Sequence, residues 1–216
     1  MSRLVLAVDT THEYGSLALL RGAELLEEVL LHAPTGFAHV LYAHLAALLE
    51  RHTVKAGDID CFAAASGPGS FTGVRVGLTC VKGLAEATGR GAVAVSNLQA
   101  LSTFGSGPLR AVVMDARRGE VYGAVYDAAA RLVVPEIVAP FQTWIDMLPA
   151  GELEFIAADV TPPLAGTRFA QSTVRMAPRA LASAIARLAS HAEPLDPAAL
   201  DANYVRRSDA ELLWKE

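Results

Sequence analysis

AAASGPGSFTGVRVGLTCVKGLAEATG, residues 63–89, is the stretch that decides the fold of this chain. An apolar run enters a Pro/Gly turn, and a glycine-spotted helix is predicted to follow at once, from Phe71 to about Thr88. Strand, glycine loop, helix is the arrangement with which α/β proteins build phosphate sites at a helix N-terminus. The loop residues are Ser66, Gly67, Pro68, Gly69 and Ser70.

Three kinds of chemistry use such a loop, and the residues fit none well. A Walker A loop needs a Lys-Ser/Thr pair after its last glycine to meet the terminal phosphates, and GPGSFTGVR has none. A dinucleotide fingerprint is a near miss: Gly67, Gly69 and Gly73 give G-x-G-x-x-x-G, and the next strand ends in Ser96-Asn97 instead of an acid for the ribose. A nucleophile elbow needs G-x-S-x-G, whereas Ser70 has Pro68 before it and Thr72 after it at those offsets. Ser70 is read as the cap of the following helix, accepting from its exposed N–H groups.

At 100° per residue, Gly73, Gly77, Cys80 and Leu84 of that helix fall within about 60° of one another. Val74, Leu78, Val81 and Ala85 widen the apolar arc, while Arg75, Thr79, Lys82 and Glu86 take the opposite face. Glycine inside a helix costs about 1 kcal/mol against alanine, so two on one stripe point to a close approach by another backbone. That neighbour is either the preceding helix or another protein, and the pattern leaves both open. The preceding helix, predicted over residues 36–52, is amphipathic, with Phe37, Leu41, His44, Leu45 and Leu48 on one face. His39 and His44 are five apart, about 140° around the helix, so they make no metal pair.

Composition narrows the class. The 216 residues are 52% hydrophobic and 19% charged, enough for a core and unlike a disordered chain. The net charge of −5 argues against a broad nucleic-acid surface. The pairs Arg117/Arg118 and Arg206/Arg207 are read as solvated arginines with local phosphate contact as the sharper option. Two cysteines, Cys61 and Cys80, without CxxC spacing fit a reducing compartment and neither a disulfide nor a metal framework. No apolar run approaches the ~18–20 residues that span a bilayer. The apolar run before Asp9 is too short for a signal peptide, so a cytoplasmic protein is expected.

Along the chain, RLVLAVDTT, YGSLALL and LLEEVLLH form a predicted antiparallel meander. LRAVVMDARRGEVYGAVYD with RLVVPEIVA repeats that pattern, each unit having an acid at its first turn. FQTWIDML and PRALASAIARLASH are predicted helices, LEFIAAD a strand, and residues 192–216 a surface tail. The division expected is an N-terminal lobe, 1–107, with the glycine loop, and a reduced C-terminal lobe, 108–216. Two βββα-type units give an α/β fold built by duplication.

SGPGSFTGVRVG, VLAVDTT and MDARRGEVYGAVY together resemble the TsaB (YeaZ) family, and the tail ANYVRRSDAELLWKE resembles that family's ending. The resemblance implies an actin/Hsp70/sugar-kinase-like (ASKHA) fold. It implies a subunit that works with TsaD and TsaE in making threonylcarbamoyladenosine on tRNA. In nucleotide-binding members of that fold, strand-ending acids meet a metal–nucleotide. Asp9, with Thr10 and Thr11, and Asp115 stand at those places and are read as a vestigial site. The DARRGE turn puts Ala116, Arg117 and Arg118 where such relatives carry glycines, and FIAADVTPPLAG offers only Gly166. The metal-holding helix histidines of TsaD find no match.

The expectation is therefore a scaffold without catalytic residues, cofactor or metal. Its partners would be a TsaD-type catalytic subunit and a TsaE-type ATPase, with tRNA reached only indirectly. The expected contact surface is Phe37, Leu41, His44, Gly73, Val74, Gly77, Cys80, Val81 and Leu84. A homodimer through the same helices is equally compatible with it. The competing readings are a small ATP-dependent phosphotransferase of the same fold and, with less support, a peptidase.

Overall fold

The computed structural model describes residues 2–158 and 161–205. In chain order the strands are β1 (Leu4–Asp9), β2 (Tyr14–Arg21), β3 (Glu24–His32), β4 (Cys61–Ala65), β5 (Gly91–Val95), β6 (Leu109–Asp115), β7 (Glu120–Asp127), β8 (Leu132–Pro140), β9 (Glu154–Ala157) and β10 (Val174–Met176). The helices are α1 (Leu41–Arg51), α2 (Phe71–Thr88), α3 (Asn97–Ser102), α4 (Phe141–Met147) and α5 (Ala182–His191). Among the described residues no helix is long and apolar enough to cross a membrane.

The chain divides into two units, Met1–Asn97 with Arg179–Ala202, and Leu98–Pro178 with Asn203–Glu216. The sheet of the first unit has the order β3-β2-β1-β4-β5. β1, β2 and β3 are antiparallel, and β4 and β5 add to β1 in parallel. Alternation along β1 separates the two faces. Leu4, Leu6 and Val8 join one core with Leu41, Leu45 and Leu48 of α1 and Val74, Leu78 and Val81 of α2. Val5 and Ala7, also buried, point the other way, where α5 packs on β1, β2 and β4. The buried side of α5 is Ala182, Ala184, Ile185, Ala186 and Ala189, small enough to lie close on the sheet.

α5 is fastened by side chains distant in sequence. Ser16 Oγ accepts from Leu181 N at 3.0 Å and Ala182 N at 2.9 Å. Glu28 accepts from Ser183 N and Ser183 Oγ at 2.7 and 3.0 Å, which satisfies donors at the helix start. Arg3 donates to the carbonyls of Ala189, Ser190 and Ala192 at the other end.

The second unit repeats the topology. Its sheet order is β10-β9-β6-β7-β8, again an antiparallel meander with two parallel strands added to its first strand. Its core is aromatic: Trp144 meets Phe155 edge-on with centroids 6.0 Å apart, and Phe155 meets Phe169 at 5.4 Å. Trp144 lies against Gly123 of β7, where any Cβ would strike the indole ring.

Four expectations change. The boundary at 107/108 differs from the observed units, because residues 179–202 return to the first sheet. The helix expected over 36–52 begins only at Leu41: Gly36 has φ 98°, and the chain turns through Phe37 before the first helical residue. The tail from 192 does not simply run over the surface, since Leu195 pairs with Ala92 of β5 and Leu200 is buried in the first core. Its continuation, 206–216, including Arg206/Arg207, lies outside the described residues. β10 was not foreseen.

Candidate functional site

β1 ends at Asp9, and Asp9, Thr10 and Thr11 are all buried at the turn into β2. Asp9 Oδ1 accepts from Thr11 N at 2.9 Å and Thr11 Oγ1 at 2.7 Å. Asn97 Nδ2 donates to the same Thr11 oxygen at 2.8 Å. Thr11 has only one hydroxyl proton, and Asp9 takes it. His12 Nδ1, 3.0 Å from that oxygen, is then placed to donate to it.

The glycine loop closes on this turn. Gly67 N donates to Asn97 Oδ1 at 3.1 Å, and Asn97 N donates back to Gly67 O at 2.8 Å. Ser70 N donates to Thr11 O at 2.7 Å. Ser70 caps α2 by accepting from Gly73 N at 3.2 Å. The N–H groups of Gly67, Ser70 and Gly73, which a phosphate would need, are therefore taken from within the unit.

The glycines serve the same closure. A Cβ on Gly69 would stand 2.7 Å from Thr11 O, and one on Gly77 would stand 2.6 Å from Thr10 Oγ1. A Cβ on Gly73 would overlap the Thr10 carbonyl. Thr10 Oγ1 in turn donates to Gly73 O at 2.7 Å. The backbone that the stripe admits is the chain's own β1–β2 turn.

This corrects the contact surface expected from sequence. Phe37, Leu41, Val74, Cys80 and Val81 belong to the core that α1 and α2 form with the sheet, and Gly77 is buried against Thr10. Leu84 packs half-buried against that core, Gly73 is half-buried at the turn, and His44 alone of the nine is exposed. The reason is that a sheet-covering helix must bury its apolar arc on the sheet.

What the two helices show to solvent is a different set. Ala38, Tyr42, Phe71, Thr72, Val76 and Thr79 line a groove of about 430 Å³ whose floor includes Leu41 and Cys80. Tyr42 is 58% exposed and Phe71 44%, large rings outside the core. The Arg75 guanidinium lies 3.8 Å over the Phe71 ring. Tyr42 hydrogen-bonds the Cys80 thiol, a contact that by itself favours the thiolate. The Cys80 charge, with some burial, pushes the Tyr42 hydroxyl up, and burial pushes the Cys80 thiol up to about 11. Of the groove lining the sequence reading named Leu41 and Cys80 and missed Tyr42 and Phe71. The available signal was two aromatic side chains, Tyr42 and Phe71, out of phase with the buried arcs.

In the second unit Asp115 ends β6, and its carboxylate accepts from Arg117 N at 2.8 Å. The β6–β7 turn runs through Arg117 at φ 65°, Arg118 at 56° and Gly119 at 76°, closed by Glu120 N donating to Arg117 O at 3.0 Å. Left-handed backbone costs an ordinary L-residue roughly 1–2 kcal/mol. The two arginines thus occupy glycine-like conformations, which their residue types did not announce. An apolar slot of about 170 Å³, with Phe141, Pro162 and Pro163 among its walls, lies beside Asp115.

A larger polar cleft, about 530 Å³, opens between the 106–108 loop and the starts of β9 and β10. Buried Glu154 organises it, accepting from Ser106 N and Gly107 N, both at 2.6 Å, and from Arg175 Nε at 2.9 Å. Burial alone would raise the Glu154 pKa. The Gly107 and Ser106 N–H groups and the Arg175 guanidinium outweigh it and hold the carboxyl below its usual range. Among the described residues no three His, Cys, Asp or Glu side chains gather as metal ligands.

A duplicated pair of five-stranded sheets, each an antiparallel meander extended by parallel strands, is the architecture of the actin/Hsp70/sugar-kinase-like class. Among solved structures of that class, YeaZ from Pseudomonas aeruginosa superposes with a TM-score of 0.76 at 26% identity, over 94% of this chain and 99% of that one. Component A of (R)-2-hydroxyglutaryl-CoA dehydratase from Acidaminococcus fermentans shares the fold alone, with a TM-score of 0.53 at 10% identity over 88% of this chain and 98% of that one. Residues 33–193 match the family described as TsaD: tRNA N6-adenosine threonylcarbamoyltransferase. The tRNA threonylcarbamoyladenosine biosynthesis protein TsaB of Bacillus subtilis is 30% identical, with 98% of each chain covered. The Escherichia coli TsaB protein is 32% identical over 56% of this chain and 54% of that one. The chain belongs to the TsaB (YeaZ) family.

Proposed function

We propose that the chain is the non-catalytic scaffold of a tRNA-modifying assembly. It holds a TsaD-type catalytic subunit, served by a TsaE-type ATPase, in forming N6-threonylcarbamoyladenosine at position 37 of tRNA. The observation that carries this reading is the closed glycine loop. Its Gly67, Ser70 and Gly73 N–H groups are occupied by Asn97, Thr11 and Ser70, so these donors serve internal packing and not a ligand.

The groove walled by Tyr42 and Phe71 is the docking face in this reading. Its occupant is the corresponding helix pair of the catalytic subunit. The TsaD family match spans α1 and α2 of this chain, so that subunit carries a related pair. Two related folds can then pack the same helices against each other in a pseudo-symmetric seam.

The test is reconstitution. The chain alone should neither hydrolyse ATP nor modify tRNA, and adding both partner subunits with substrates should give the modified nucleoside. Tyr42→Asp and Phe71→Asp replace exposed rings, so each should keep the wild-type melting temperature and lose capture of the catalytic subunit. Modification by the chain alone, or undiminished capture by both variants, refutes the scaffold reading or its docking face respectively. Micromolar magnesium–ATP binding by the isolated chain in calorimetry would favour the phosphotransferase instead. A self-dimer through this groove would show as concentration-dependent mass that the same two variants abolish.

A further inference from the structure

The β6–β7 turn places arginine where backbone conformation favours other residues. Arg117 and Arg118 lie at φ 65° and 56°, and Gly119 follows at 76°. Hairpin turns with left-handed central residues ordinarily take Asn-Gly or Gly-Gly, because those residues enter that region with little strain. Burial does not account for the choice of arginine. Both residues are exposed, and the Arg117 side chain keeps 86% of its surface. Its guanidinium makes an exposed ion pair with the Asp115 carboxylate at 3.6 Å, too long for a good hydrogen bond.

Charge is sorted along the hairpin. Asp115 and Glu120 stand at its base, half-buried, with the Asp115 carboxylate turned onto Arg117 N. The two arginines stand at its tip. Thus a chain of net charge −5 carries two adjacent planar cations at an exposed tip. Local rules broken at an exposed position motivate a functional reading. A guanidinium presents a flat fork of donors that matches phosphate oxygens two at a time.

Resting on the reading that the chain works in a tRNA-modifying assembly, we propose that the Arg117–Arg118 tip contacts the phosphate backbone of tRNA directly. The contact carries no sequence information and adds to a grip supplied mainly by the partner.

The variant R117N/R118N tests it without harming the fold, because asparagine suits left-handed backbone and the substitution puts a favoured Asn-Gly pair at the end of the turn. Its melting temperature should equal or exceed that of wild type. The reconstituted assembly, titrated with transcribed tRNA at several salt concentrations, should bind roughly tenfold more weakly with the variant. The slope of log affinity against log salt should become shallower by about one to two. R117K/R118K should keep most of the slope and lose part of the affinity. Unchanged affinity and slope in R117N/R118N would overturn the proposal. So would loss of the catalytic subunit by that variant, which would make the tip a protein contact. If wild type does not assemble at all, the scaffold reading falls, and the same titration on the isolated chain decides this one. A salt-sensitive binding lost in R117N/R118N supports the tip contact, and equal slopes refute it.

Discussion

Alanine at three glycines of α2 should give three different outcomes, because each added Cβ meets something different. At Gly83 it meets nothing within 4 Å. The substitution should therefore return the helix-propensity difference, nearly 1 kcal/mol of added stability. At Gly77 the Cβ meets Thr10 Oγ1 at 2.6 Å, the end of a side chain that can rotate. Rotation breaks the 2.7 Å bond from Thr10 Oγ1 to Gly73 O, worth about 1 kcal/mol, so gain and loss roughly cancel. At Gly73 the Cβ overlaps the Thr10 carbonyl itself. That carbonyl belongs to a turn held by Asp9, Thr11 and Asn97 and cannot swing away alone. Overpacking against backbone should cost about 1–3 kcal/mol. Urea and thermal unfolding of the isolated chain measure all three, at about 2–4 °C per kcal/mol for a chain of this length. The expected order of stability is Gly83→Ala above wild type, Gly77→Ala near it, and Gly73→Ala well below. A Gly73→Ala protein as stable as wild type would refute the claim that the glycines exist to seat α2 on the β1–β2 turn. Capture of the catalytic subunit by Gly83→Ala should be unchanged, since that position is outside the groove.

Two further outcomes follow from ionisable groups. Glu154, held below its ordinary pKa in the fold, stabilises the second unit above its unfolded value, and that contribution fades as pH falls through the lower folded value. Glu154→Gln should therefore lose about 1–3 kcal/mol at neutral pH, with the gap to wild type narrowing below about pH 4.5; an unchanging gap across an acid titration would contradict this. Cys61 and Cys80, both buried and with pKa pushed up to about 11 chiefly by burial, should resist a thiol reagent at pH 8 until urea unfolds the chain. Rapid labelling of native Cys80 would show that the groove floor opens.

Local chemistry made much of the fold legible. The first meander and the span of α2 follow from alternation, turn residues and the Ser70 cap, all short-range signals. The β6–β7–β8 meander was legible for the same reason. The return of α5 was not, because the groups that fasten it, Ser16, Glu28 and Arg3, precede it by more than 150 residues. β10 has three residues and offers no period to detect. The left-handed arginines of the second turn were hidden because φ is set there by the hairpin, against the preference of the residues that occupy it.

The candidate site was half legible, and the error has a single physical source. A stripe of glycine and small residues says that something comes close, without saying what. Donor and acceptor partners decide it, and those of the loop, Asn97 and the 9–11 turn, lie far away in sequence. Once the loop is closed, its consequence reaches the groove through one residue. Ser70 caps α2, Gly73 abuts Thr10, and Phe71, the first residue of the helix, stands between them. Fixing the cap and the seat fixes where Phe71 and, one turn on, Arg75 face solvent. A loop shaped like a phosphate cradle thereby sets one wall of the proposed docking groove. A change that loosens the loop should then weaken partner binding even though residues 66–70 do not line the groove.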